Sequence, residues 1–230
     1  MTYISENIKK VRAAIAEAAY KSGRSPGDIT LVAAAKMKPV ELVKEAIAEG
    51  VDAVGENRVQ EMLHKQAQGA YHSAPLHFIG HLQSNKVRQI VGVCDLIESV
   101  GSPELVKLIG KRAVTLGITQ DVLIEVNIGK EPQKSGVQPD RLGEVMEIAS
   151  KTFGVNVLGL MSVPPFLEEI GSERRYFDAM FHLFLDMSAK KYDNVSMRFL
   201  SMGMSDSYTE AILAGSNMVR IGTAIFGERT

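Results

Sequence analysis

Several things are scarce in this sequence, and each shortage removes a class of protein. One cysteine, Cys94, stands among 230 residues, so no disulfide can form within the chain and nothing calls for an oxidising compartment. Tryptophan is absent. Neither sign of charge dominates: 26 Lys+Arg oppose 27 Asp+Glu, a net charge of -1, without the basic surplus of a dedicated nucleic-acid binder. No stretch approaches the ~18 consecutive apolar residues of a membrane span. The N-terminus, MTYISENIKKVRAAIAEAAYKSG, is charged and periodic and has no apolar signal-peptide centre. A cytoplasmic protein that engages neither nucleic acid nor membrane is expected. Motifs for common chemistries are missing too. His64, His72, His77, His81 and His182 show no metal-ligand spacing, and no G-x-S-x-G or Walker sequence occurs. Cys94 sits in an apolar setting, where packing is its expected role.

What is present is an ordinary globular composition, 45% hydrophobic and 23% charged, arranged in a regular alternation. Ile4, Ile8, Val11, Ile15 and Ala18 or Ala19 recur at three- and four-residue steps, which predicts a helix ended by Gly23 and Ser25-Pro26-Gly27. Eight apolar runs follow: Ile29–Ala35, Val51–Val54, Leu76–Ile79, Leu96–Val100, Val122–Ile128, Val155–Met161, Met197–Met202 and Met218–Ile221. Helix-like stretches near 39–49, 57–68, 84–91, 103–116, 139–152, 172–190 and 205–214 separate them. Start signals precede several of these, among them Ser102-Pro103-Glu104, Pro139-Asp140 and Ser205-Asp206.

Near-continuous apolar strands are buried on both faces, as in a parallel sheet. About 25 residues per strand–helix unit predicts an eight-fold (β/α)8 TIM-type barrel with an extra N-terminal helix, one domain over residues 1–230. The rival, an open nucleotide-binding sheet, should carry G-x-G-x-x-G after its first strand. Here that turn is Ala35-Lys36-Met37-Lys38-Pro39, with no glycine.

Function in such a barrel sits at the carboxyl ends of the strands. Strand one ends in Lys36. Desolvation there would lower its pKa and free its amine as a nucleophile toward aldehydes, although it could equally emerge into solvent like Lys38. Asn57, after strand two, suits a helix cap and a ligand contact alike. The segment Gly80-His81-Leu82-Gln83-Ser84-Asn85-Lys86 reads as a binding loop or a solvated one. The polar loop 129–136, with Lys134-Ser135-Gly136, could simply be mobile. Strands seven and eight end in Ser201-Met202-Gly203-Met204-Ser205 and Arg220-Ile221-Gly222-Thr223. Two hydroxyl–glycine turns at this corner favour phosphate binding by backbone N–H groups and a helix N-terminus over two ordinary turns.

A strand-end lysine facing a phosphate corner suggests pyridoxal 5′-phosphate held as a Schiff base. The segments AAAKMKP, GENRVQE, HFIGHLQSNK, KSG, LSMGMS and MVRIGTAIFG closely resemble the pyridoxal-phosphate homeostasis proteins, single-domain relatives of the alanine racemase barrel. The match runs in order from about residue 30 to 228. The resemblance implies a fold type III barrel like the alanine racemase N-terminal domain, with the cofactor bound covalently on Lys36. It implies phosphate contacts from Ser201, Gly203, Gly222 and Thr223, Asn57 lining the cofactor pocket, and Arg220 facing the pyridine nitrogen. Relatives commonly have proline where His81 stands, so His81 receives no role, and neither does Lys134.

An arginine only donates hydrogen bonds and keeps its charge. Opposite the pyridine nitrogen it would disfavour protonation there and weaken the ring as an electron sink. Racemases of this class tolerate that arginine because a second domain supplies an opposing tyrosine base, and no such domain is expected after strand eight. The expectation is therefore a monomeric carrier or regulator in pyridoxal phosphate homeostasis, without robust turnover, meeting recipient apoenzymes through the barrel mouth or helix 172–190. The alternatives are an amino-acid racemase or lyase, with Tyr208 or the His81 loop as distant acid–base candidates, and a barrel for a phosphorylated sugar.

Overall fold

The computed structural model describes residues 2–165 and 173–228. Eight parallel strands form a closed barrel in sequence order, with β8 pairing back onto β1. They are β1 (Thr30–Ala34), β2 (Ala53–Glu56), β3 (Leu76–Phe78), β4 (Leu96–Val100), β5 (Gln120–Glu125), β6 (Val155–Met161), β7 (Val195–Ser201) and β8 (Met218–Ile221). Closure excludes the open-sheet alternative. The helices are α1 (Tyr3–Lys21), α2 (Val40–Ala48), α3 (Val59–Ala67), α4 (Val87–Ile90), α5 (Pro103–Leu116), α6 (Leu142–Ser150), α7 (Arg174–Ser188), α8 (Tyr208–Leu213) and α9 (Thr223–Phe226). The stretch 84–91 divides into a 3-10 turn, Ser84–Lys86, and the single turn of α4. Residue 172, the expected start of the helix 172–190, lies outside the described residues, as does Thr230.

Local chemistry starts and stops these elements. The hydroxyl of Ser102 accepts from Leu105 N at 3.2 Å, Pro103 opens α5, and Gly117 ends it at φ +68°. The helix α1 buries Ile4, Ile8, Val11, Ile15, Ala18 and Ala19, the stripe its periodicity predicts. It lies along the outside of the barrel against α2, α8 and α9. Asn7 Nδ2 donates to Ile225 O at 3.0 Å near one end, and Arg24 Nη1 to Ser216 O at 2.7 Å beyond the other.

Side chains alternate between the two faces of each strand. Val32, Ala53, Leu96, Leu123, Leu158 and Met218 pack together inside the barrel, with Phe199 against them. Two residues further along their strands, on the same face, come Glu98 after Leu96, Glu125 after Leu123, Ser201 after Phe199 and Arg220 after Met218. The barrel is thus filled by an apolar layer below and a polar layer beneath its mouth. The outward faces join the helices in the main core.

Strand β7 departs from the expected buried run, Met197–Met202: Arg198 is exposed, its guanidinium stacked 5.2 Å over the Phe199 ring. Its neighbour β6 is bulged at Gly159, where φ is +148° and a Cβ would lie 1.8 Å from Phe199 O. Only glycine lets the two strands approach there.

Candidate functional site

The mouth of the barrel holds a cavity of about 360 Å³ lined by Lys36, Asn57, Arg220, Gly222 and Thr223, together with Lys38, Ile79, Val163, Met204 and Ser205. Lys36 continues β1 by two residues beyond Ala34, with inward parity, and is partly buried. Its neighbour Lys38 does not simply emerge into solvent. Its Nζ donates to Phe226 O, Gly227 O and Glu228 O at 3.2–3.3 Å, satisfying carbonyls at the end of α9.

Asn57 caps no helix. The cap position of α3 falls on Arg58, which makes no side-chain capping bond. Asn57 Oδ1 is instead buried without a hydrogen-bond partner among the described residues. A buried acceptor left unpaired is costly, and this one belongs to a residue that lines the cavity.

Arg220 is almost fully buried and fixed from several sides. Its Nη1 donates to Ser201 Oγ at 2.5 Å and lies 3.8 Å from Glu98 Oε2, and its Nη2 donates to Ser162 O at 2.8 Å. Burial pulls the guanidinium below its usual pKa, while Glu98 and Glu125 hold it up; it stays charged at neutral pH. Glu98 is completely buried and accepts from Ser201 Oγ at 2.6 Å, with His77 Nδ1 at 2.7 Å. Burial alone would raise its carboxyl, but His77, Arg220 and Ser201 outweigh that and set it below the ordinary value. Glu125 goes the other way. Burial raises it, Ser135, Arg220 and His81 recover only part, and its Oε2 has no partner among the described residues.

Ser201 and Gly203 do not line the cavity. The hydroxyl of Ser201 is committed to Glu98 and Arg220 beneath it. Gly203, at φ +97°, packs against α8, and its carbonyl accepts from Arg220 N at 3.1 Å. The hydroxyl that does face the corner belongs to Ser205, whose Oγ accepts from Gly222 N at 3.2 Å and Ala224 N at 3.3 Å. Ser205 reads in sequence as part of a helix start. In the fold, α8 begins later, with Ser207 at its cap position, and Ser205 is left over the turn after β8.

Elsewhere at the mouth, the loop 129–136 is tied down. Lys134 Nζ pairs with Glu131 Oε2 at 2.6 Å and donates to Pro164 O at 3.1 Å, and Ser135 Oγ donates to Glu125 Oε1 at 2.9 Å. His81 lines a neighbouring hollow of about 380 Å³ that shares Asn57 with the main cavity. No group of three His, Cys, Asp or Glu side chains among the described residues could hold a metal. Among those residues no helix is long and apolar enough to cross a membrane.

The chain is similar to known proteins over nearly its whole length. The family model of the alanine racemase N-terminal domain matches residues 4–230. A pyridoxal phosphate homeostasis protein of Aquifex aeolicus is 42% identical over 224 residues, covering 97% of each chain. A crystal structure of a protein from Bifidobacterium adolescentis superposes with a TM-score of 0.92 at 34% identity, covering 97% of this chain and 94% of that one. PipY of Synechococcus elongatus, solved with pyridoxal phosphate (PLP) bound, superposes at 0.84 with 28% identity, covering 97% of this chain and all (100%) of its own.

Proposed function

The chain belongs to the pyridoxal phosphate homeostasis proteins, within the family of the alanine racemase N-terminal domain, and from that premise we propose that it holds pyridoxal 5′-phosphate as a Schiff base on Lys36. The observation that carries this reading is one cavity shared by a strand-end lysine, a fixed arginine and the Gly222-Thr223 turn, whose N–H groups gather on the Ser205 hydroxyl that also lines it.

The residues present fit the cofactor. Gly222 N and Ala224 N already bind a hydroxyl oxygen and are the donors a phosphate oxygen needs, with Ser205 and Thr223 hydroxyls beside them. Asn57 Oδ1 is an acceptor still awaiting a donor. Arg220 presents a donor, never an acceptor, to the ring. When bound, the cofactor would supply an aldehyde, and the Lys36 amine would hold it through a C=N bond, the aldehyde oxygen leaving as water.

The same residues argue for holding the cofactor over turning over a substrate. With Glu98 and Glu125 sustaining its charge, Arg220 would offer a protonated pyridine nitrogen no hydrogen-bond acceptor, which disfavours protonation there and weakens the electron sink. Among the described residues neither Tyr208 nor His81 lines the Lys36 cavity, and the one carboxylate that does, Asp206, is exposed. The reading is a cytoplasmic, monomeric carrier that delivers cofactor to apoenzymes through its open mouth. The test is to add PLP to the purified protein, follow the Schiff-base absorption at roughly 420 nm, and then offer a panel of amino acids. The band with negligible racemisation or loss of amino acid is expected. Robust turnover would make the protein an enzyme, and no band would remove the reading.

A further inference from the structure

Outside the barrel wall, directly behind Lys36, lies a buried ion cluster that the cofactor cavity does not include. Lys65 of α3 is only 4% exposed. Its Nζ lies 2.7 Å from each of Glu56 Oε1, Glu61 Oε1 and the carbonyl oxygen of Ala35. Tyr71 Oη donates to Glu56 Oε1 at 2.9 Å, completing the cluster. Glu61 Oε1 also accepts from Met37 N at 2.5 Å. The peptide groups on both sides of Lys36, the carbonyl of Ala35 and the N–H of Met37, are therefore gripped by one cluster. The chain turns at that point: Met37 has φ +60°, a left-handed conformation uncommon outside glycine. The Met37 side chain is largely exposed, so packing does not hold the turn.

Buried ion clusters add little net stability, because desolvation consumes most of the Coulomb gain. What this one does provide is a fixed strand end. On the reading that Lys36 carries the cofactor, we propose that Lys65 and Glu61 are positioning residues that set the direction in which Lys36 enters the cavity, and that covalent capture of pyridoxal phosphate depends on them. Neither residue lines the Lys36 cavity. The effect should therefore fall on formation of the C=N bond and not on binding of the ring and phosphate.

The experiment compares PLP with pyridoxine 5′-phosphate, which has an alcohol in place of the aldehyde and cannot bond to Lys36. Glu61→Ala releases the Met37 N–H at a partly exposed position, so the fold should survive. We expect its PLP affinity to fall about tenfold, the scale of one hydrogen bond to a charged group, while pyridoxine 5′-phosphate affinity moves less than about twofold. In the cofactor-free protein, hydrogen exchange at the Met37 amide should accelerate. Glu61→Gln keeps an acceptor for that amide and should recover most of the PLP affinity. Lys65→Met should show the same selective loss, and if it does not fold, Glu61→Ala decides. Unchanged PLP affinity in folded Glu61→Ala, or equal loss for both ligands, would overturn the proposal. Wild-type protein that binds pyridoxine 5′-phosphate yet forms no bond with the aldehyde overturns the Lys36 reading itself, a result distinct from failure of the clamp.

Discussion

Replacing Glu98 by glutamine should expose how far the interior of the barrel depends on one carboxylate. Glu98 faces Arg220 at 3.8 Å with both side chains buried, and it also accepts from Ser201 and pairs with His77. Removing one partner of a buried ion pair strands the other charge, which costs about 3–5 kcal/mol. Glu125 and the carbonyl of Ser162 still face Arg220, so the lower end, ~3 kcal/mol, is the expected loss. For a chain of this length that is about 6–12 °C in Tm. The assay is thermal and urea unfolding of cofactor-free protein at neutral pH. A double variant, Glu98→Gln with Arg220→Met, removes the stranded charge and should regain a large part of the loss. The pH dependence has a definite sign. The folded carboxyl lies below its ordinary value of 4.5, so its contribution is complete above that pH and fades as pH falls through the lowered folded value. The gap between wild type and Glu98→Gln should close in acid. A single-variant loss below about 1 kcal/mol, or a double variant no better than the single, would refute the reasoning.

Glu125→Gln should behave oppositely: the raised carboxyl of Glu125 penalises its charged form, so the balance between variant and wild type should shift toward the variant as pH climbs above 4.5, checked by urea midpoints across pH. Gly159→Ala forces a Cβ against the Phe199 carbonyl at a left-handed φ and should cost at least ~3 kcal/mol or abolish soluble expression; wild-type-like unfolding would contradict the bulge. Cys94 is buried and its thiol is pushed up to about 12, so an aromatic disulfide reagent should label it only as the protein unfolds. Fast labelling of native protein would contradict that burial.

The eight runs and the first helix were legible because burial on both faces writes a strand as an apolar stretch. Lys36 was legible for the same reason, as a charge where the run should have continued. The polar layer was not. Glu98 and Glu125 sit inside their strands at inward parity, and a reading of strands as whole runs passes over a charge that period-two counting picks out. Lys65 reads as one polar residue among many in VQEMLHKQA, since nothing local says that Glu56 will lie opposite it. Ser205 and Asn57 both look like helix caps. Only the later start of α8 and the cap at Arg58 release them toward the cavity. Ser201 shows the reverse: a hydroxyl beside a glycine in the phosphate corner by sequence, turned inward by strand parity.

Lys36 and Lys38 border the same cavity, and the account stands on the first of them forming the bond. Borohydride reduction of PLP-loaded protein, followed by peptide mapping, reads that choice directly. A stable adduct on Lys36, absent from the Lys36→Ala protein, is the predicted result. An adduct on Lys38, or one that survives Lys36→Ala at the barrel mouth, would contradict it.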